Sequence, residues 1–234
     1  QGSADVASPP GTHKDKAYTT SNTVSYYPFQ SSGATDQWGS NDGTVNGATY
    51  KSSGGPRGTG AYSFDGTDDA IDLPSFNQFS EYTISFWMKP GAYSSGWKRV
   101  VTIKKNNGIL FQQMDTSNKY RYVHRNSSGE TIVIKDSPAE KEWHHYTLKW
   151  DGSKISLIKN GSNLINEKNT SSISGTSDGN ALGYRPFDST EYWNGKLTDV
   201  RIYNRALKPH EIQQLYQYGT RGVDMRRHLA NKRK

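Results

Sequence analysis

Gly195-Lys-Leu-Thr-Asp-Val-Arg-Ile-Tyr-Asn-Arg-Ala-Leu207 reads as a β-strand running into an irregular end. Its alternation puts Val200 and Ile202 on one face and leaves a single carboxylate, Asp199, on the other. A helix signal follows at once. Pro209 suits a first helical turn, and Ile212, Leu215 and Tyr216 share one face over 208–218.

Working back from it, the chain offers short strands separated by turn chemistry. Tyr82, Ile84, Phe86 and Met88 alternate with Thr83, Ser85, Trp87 and Lys89. Short extended runs follow at 99–104, 109–114, 120–125 and 131–135. Trp143–Trp150 and Lys154–Lys159 are joined by Asp151-Gly152, a hairpin signal. Ala61–Leu73 alternates on both sides of Asp65-Gly66 and is predicted to be another hairpin. Thr23–Phe29 reads as the first strand, and 179–187 and 192–204 as the last. Strand after strand without intervening helices predicts an all-β, two-sheet antiparallel sandwich.

The 234 residues suit one such sandwich with tails: an arm at 1–22, a body at 23–218 and a basic tail at 219–234. Cysteine is absent, so the core must hold the fold without disulfides. No segment is apolar and long enough to span a membrane. The net charge of +7 is concentrated at the end, where 221–234 carries +5, leaving about +2 for the body. Nucleic acid is therefore a partner for the basic tail at most.

Three stretches taken in order, Ala61–Leu73, Glu142–Gly161 and Gly195–Leu207, resemble the laminin G-like (concanavalin A-like) lectin/glucanase superfamily, over about Tyr26 to Tyr218. The resemblance implies jelly-roll topology with one C-terminal helix. It also implies an extracellular, cell-surface or virion setting. In related sandwiches a structural calcium joins an early loop to a carboxylate of the last strand. On that resemblance Asp199 is the late ligand, with Asp36 and Asp42 of the Gly- and Asn-rich loop 31–48 as its partners. Hard oxygen donors on a pliable loop suit calcium. Asp65, Asp68 and Asp69 form a second acidic group, which turn chemistry at Asp65-Gly66 explains equally well.

Zinc chemistry is not expected, because no His-Glu-x-x-His pattern occurs and cysteine is missing. His144 and His145 are adjacent in a strand and face opposite ways, one toward the core and one toward solvent. Glucanases of this fold type carry Glu-x-Asp-x-x-Glu on one strand. That pattern is absent here, and Glu140 and Glu142 fall in a turn, so glycoside hydrolysis is the least favoured reading. A non-catalytic module is expected, binding a glycan or cell-surface ligand. Sugar sites pair aromatic faces with polar groups. The candidate contacts are Trp38, Tyr93, Trp97, Tyr184 and Trp193 on loops and rims, with the row Tyr120, Tyr122 and His124 on one strand face. The competing expectation is a capsid, appendage or filament subunit, self-assembling through 1–22 and 219–234 without binding sugar.

Overall fold

A computed structural model describes residues 22–77, 79–103, 108–114, 117–126, 128, 131–173 and 179–221. The elements are β1 (Thr23–Tyr27), β2 (Thr44–Asn46), β3 (Thr49–Lys51), β4 (Ala61–Asp65), β5 (Ala70–Leu73), β6 (Tyr82–Pro90), β7 (Lys98–Ile103) and β8 (Ile109–Met114). Then come β9 (Ser117–Arg125), β10 (Thr131–Asp136), β11 (His144–Trp150), β12 (Lys154–Lys159), β13 (Asn163–Asn169), β14 (Asn180–Leu182), β15 (Asn194–Tyr203) and α1 (Pro209–Arg221). Most of the proposed arm and tail, 1–21 and 222–234, lies outside the described residues, and so does assembly through them.

Two antiparallel sheets stack as a sandwich. The eight-stranded sheet runs β13-β12-β11-β6-β15-β4-β3, with β1 also on β15. The seven-stranded sheet runs β10-β9-β8-β7-β14-β5-β2. The last strand organises the first sheet. One edge of β15 pairs with β6, and its other edge is shared end to end by β4 (Asn194–Leu197) and β1 (Val200–Tyr203). Period-two alternation sends Ile84, Phe86, Tyr146, Leu148, Val200 and Ile202 inward to meet Val101, Ile109, Phe111, Tyr122 and Leu182 of the other sheet.

The expected hairpin at 61–73 is a corner instead. β4 belongs to the eight-stranded sheet and β5 to the seven-stranded one. Tyr62 and Phe64 therefore face Ile71 and Leu73 across the core rather than lying beside them. Alternation on both sides of a turn is the same in a hairpin and in a corner. Gly66, at φ 86°, and the bond from Asp65 N–H to the Asp69 carboxylate (2.8 Å) make the bend.

α1 seals the outer face of the eight-stranded sheet. Ile212 and Leu215 join Ile158, Tyr203 and Leu207 in a second apolar cluster. Tyr216 stacks on Trp87 with ring centroids 5.4 Å apart. One of the two adjacent histidines was expected to see solvent, but both are buried: His145 lies on this face, within 6.0 Å of the Tyr216 ring. His144 points to the core and is bonded to Ala139 O at 3.0 Å. Among the described residues, no helix is long and apolar enough to cross a membrane.

Candidate functional site: the outer face of the seven-stranded sheet

With α1 packed on one outer face, the outer face of the other sheet is taken as the candidate site. Strand β9 shows how period two sorts them. Tyr120, Tyr122 and His124 are buried at 2%, 0% and 0% exposure, so they face the core and not a ligand. Tyr122 and Tyr82 share a hydrogen bond between their hydroxyls, and Tyr82 bonds His124 Nδ1 at 2.9 Å. His124 Nε2 meets Ser171 O at 3.1 Å. Burial pushes this imidazole down to about 4, against the carbonyl's upward pull, which keeps it neutral. The intervening residues of β9, namely Lys119, Arg121, Val123 and Arg125, face outward. The strand was singled out for its aromatic row, but its exposed chemistry is the cationic one.

Strand registers extend this row across the sheet. Arg99 lies opposite Gln112, Gln112 opposite Arg121, and Arg121 opposite Lys135. Leu110 and Val123, paired beside the row, are fully buried. Two loops rise next to it. The loop between β6 and β7 brings Trp97, on whose ring the Arg121 guanidinium lies 4.0 Å from the centroid. The loop between β14 and β15 brings Glu191. Arg99 Nε donates to one carboxylate oxygen of Glu191 at 2.5 Å and Arg185 Nη1 to the other at 3.2 Å. The Glu191 carbonyl accepts the Arg99 N–H at 2.8 Å, tying this loop to β7.

The electrostatics of the row are strained. Burial lowers Arg99, and Arg185 and Arg125 add to that while Glu191 opposes it. Arg121 is lowered by burial, then by Arg99 and Arg125. Among the described residues, Arg121 Nε–H and Gln112 Oε1 are buried without a hydrogen-bond partner. Buried polar groups left unpaired in this way cost free energy unless something else satisfies them.

The loop aromatics divide. Tyr93 (38% exposed) and Trp97 flank this face, and Tyr184 stacks on Tyr192 at 5.4 Å and bonds Asp72 of β5. Trp193 is fully buried and donates to the Tyr120 hydroxyl at 2.9 Å, so it belongs to the core. Trp38 wedges between Tyr26 and Tyr203, 5.1 and 5.2 Å away, on the opposite side of the sandwich. Arg99, Gln112 and Glu191 were missed from sequence, since nothing local shows that strand registers align them.

The carboxylates Asp36, Asp42 and Asp199 do not converge on one point. The Asp36 oxygens accept N–H groups from Tyr26, Trp38 and Asn41 at 2.9, 3.0 and 3.2 Å, and Asp42 accepts the Asp36 N–H at 2.8 Å. Asp199 is paired with Arg201 at 2.9 Å. Among the described residues, the group that could hold a metal ion is Asp65, Asp68 and Asp69, whose ligand atoms lie within 4.8 Å of one another at the corner between the sheets. Its hard oxygens suit calcium. Burial raises Asp69, with Asp65 and Asp68 adding to the effect and the Asp65 N–H opposing it.

Known proteins place this architecture. Domain 4 of AbnA, a GH43 extracellular arabinanase from Geobacillus stearothermophilus, solved with arabinotriose, superposes with a TM-score of 0.66 at 18% identity, over 83% of this chain and 98% of that one. The binding domain of Paraclostridial Mosquitocidal Protein 1 gives 0.67 at 20% identity, over 83% and 52%. The binding domain of botulinum neurotoxin DC, solved with SialylT, gives 0.68 at 14%, over 84% and 51%. The chain thus spans about half the length of these toxin binding domains. No curated protein matches the sequence. The family model for the concanavalin A-like lectin/glucanases superfamily matches residues 65–213, so the chain belongs to that superfamily.

Proposed function

We propose that this protein is a non-catalytic carbohydrate-binding module of an extracellular, cell-surface or virion protein. It acts in adhesion and engages its glycan on the outer face of the seven-stranded sheet. The observation that carries this reading is the Trp97–Arg121 stack on the outward side of β9. An indole pinned by a guanidinium is a rigid contact surface with little rotamer entropy left to lose, and an aromatic face with polar groups beside it matches a pyranose ring. The arabinotriose complex of the arabinanase domain supports the ligand class.

Catalysis is disfavoured by the state of the carboxylates on this face. Glu191 is held by Arg99 and Arg185, and Asp72 by Tyr184 and Asn46. Neither is placed as one of two opposed acids flanking a sugar bond. A cation at Asp65, Asp68 and Asp69 would act on the corner between the sheets.

The test is a glycan array probed with the wild-type chain and with Trp97→Ala, arabino-oligosaccharides included. Retention of defined glycans by the wild type, lost in Trp97→Ala while the unfolding midpoint stays nearly unchanged, is the expected result. Retention of no glycan, or equal retention by both proteins, would overturn the reading.

A further inference from the structure

We infer that Phe187, at the tip of the loop between β14 and β15, is a second sugar-contact residue, and that the glycan on this face is an oligosaccharide lying across the sheet from Trp97 to Phe187. The inference rests on the sugar-binding reading of the same face and narrows its ligand to an extended chain.

Phe187 is 57% exposed, the most exposed large hydrophobic side chain among the described residues. Single exposed apolar side chains are common, but this one sits on a fixed support. Arg185 and Thr190 close the loop with backbone bonds of 2.8 and 3.4 Å, and Thr190 Oγ1 donates to the Asp188 carboxylate at 2.6 Å. Ser189 and Glu191 turn through the left-handed region at φ 53° and 56°, backbone strain of the kind that gathers at ligand clamps. The Glu191 carbonyl accepts the Arg99 N–H at 2.8 Å, which anchors the loop to β7. The Arg185 guanidinium lies 5.7 Å from the phenyl centroid, as that of Arg121 lies 4.0 Å from the Trp97 centroid. Two aromatic rings, each backed by a guanidinium, are thus presented beside the same sheet.

Sheet order sets the span between them. The Trp97 ring meets Arg121 of β9, whereas Phe187 follows β14. Strands β8 and β7 lie between β9 and β14, a span of about 14 Å at ordinary strand spacing. A single pyranose cannot touch a ring at each end of that span; an extended chain can. Polar groups stand beside the phenyl ring, since the Arg185 and Asp188 side chains are 38% and 39% exposed. An aromatic face with donors and acceptors at its margin is what a sugar ring requires. A bilayer fits less well, because Arg185, Asp188 and Glu191 leave the loop with a net negative charge beside the phenyl ring. A protein partner calls for a continuous patch of roughly 800 Å² with an apolar centre, which one ring at a loop tip does not supply.

The experiment titrates the wild-type chain with size ladders of arabino-, xylo-, cello- and laminari-oligosaccharides, from the free sugar to the hexasaccharide. In at least one series affinity should climb by about tenfold from the disaccharide to the longest member, the size of one aromatic contact. Phe187→Ala should remove that gain and bring long and short members within about threefold, while Trp97→Ala weakens the whole series. Because Phe187 is exposed, the variant should unfold at the wild-type midpoint, and the wild-type ladder tests the idea without any variant. Free sugars bound as tightly as hexasaccharides would overturn the chain-length inference and leave the sugar reading standing. An undiminished gain with length in Phe187→Ala would do the same. Binding to no sugar would sink both. Uptake by phosphatidylserine vesicles that Phe187→Ala abolishes, with no sugar bound, would assign the ring to a membrane surface and sink both as well.

Discussion

Asp199 and Arg201 lie two residues apart on β15 and form an ion pair at 2.9 Å, the carboxylate set by a backbone bulge at φ 54°. The bulge falls where β4 gives way to β1 along the edge of β15. Arg201 also covers the Tyr26 ring at 4.4 Å and reaches its hydroxyl at 3.2 Å. Burial works against the Arg201 charge, yet Asp199, then Tyr26 and Tyr203, outweigh it and hold the guanidinium well above its usual range.

Arg201→Met should therefore destabilise the fold by about 3 kcal/mol, since it strands a largely buried carboxylate. Asp199→Asn combined with Arg201→Met should recover part of that loss. Urea denaturation of the two single variants and the double variant measures the coupling. Strict additivity would show that the pair does not act as one.

Acid sensitivity should come from two buried histidines. His145 is pushed down to about 3 by burial and then by Arg201, and His124 to about 4 by burial. Each stays neutral when folded but binds a proton when unfolded below about pH 6.5. Their contribution is full above that pH and is lost as pH falls toward 4, with a slope approaching about 1.4 kcal/mol per pH unit for each. Denaturation curves from pH 7.5 to 4.5 should show this decline, and His145→Gln should flatten it.

Gly219 tests how α1 docks. Glycine in a helix ordinarily costs about 1 kcal/mol relative to alanine, so propensity alone favours Gly219→Ala. A Cβ there would fall 2.0 Å from Trp87 Nε1 and 2.6 Å from the adjoining ring carbon. Overlap with a ring outweighs the propensity gain, and Gly219→Ala should lose roughly 1–3 kcal/mol net. Thermal unfolding reads the sign directly.

Asp69→Asn should raise stability by a few tenths of a kcal/mol at neutral pH in the presence of a chelator. The amide oxygen still accepts the Asp65 N–H, while one of three crowded charges is removed. A lower midpoint for the variant would show that the charge itself holds the corner.

The family, the sandwich and the closing helix were legible because hydrophobic period and turn chemistry are local. The alternation of β6, the Asp151-Gly152 hairpin and the Pro209 helix each declare themselves within a dozen residues. Long-range placement was not legible. The 61–73 segment has the pattern of a hairpin, and only the pairing of β4 with β15 and of β5 with β14 makes it a corner. Asp199 was legible as the notable carboxylate of the last strand, but its ion pair with Arg201 was not, since the pairing depends on the bulge in β15.

Strand β9 marks the boundary most clearly. Its residue order fixed that Tyr120, Tyr122 and His124 would share one face and that Lys119, Arg121, Val123 and Arg125 would share the other, since a strand turns successive side chains to opposite sides. Which row met the core depended on the sheet stacked against it, whose Tyr82 claims Tyr122 and His124. Alternation along the chain is a property of the backbone. The assignment of inside and outside belongs to packing between segments some forty residues apart.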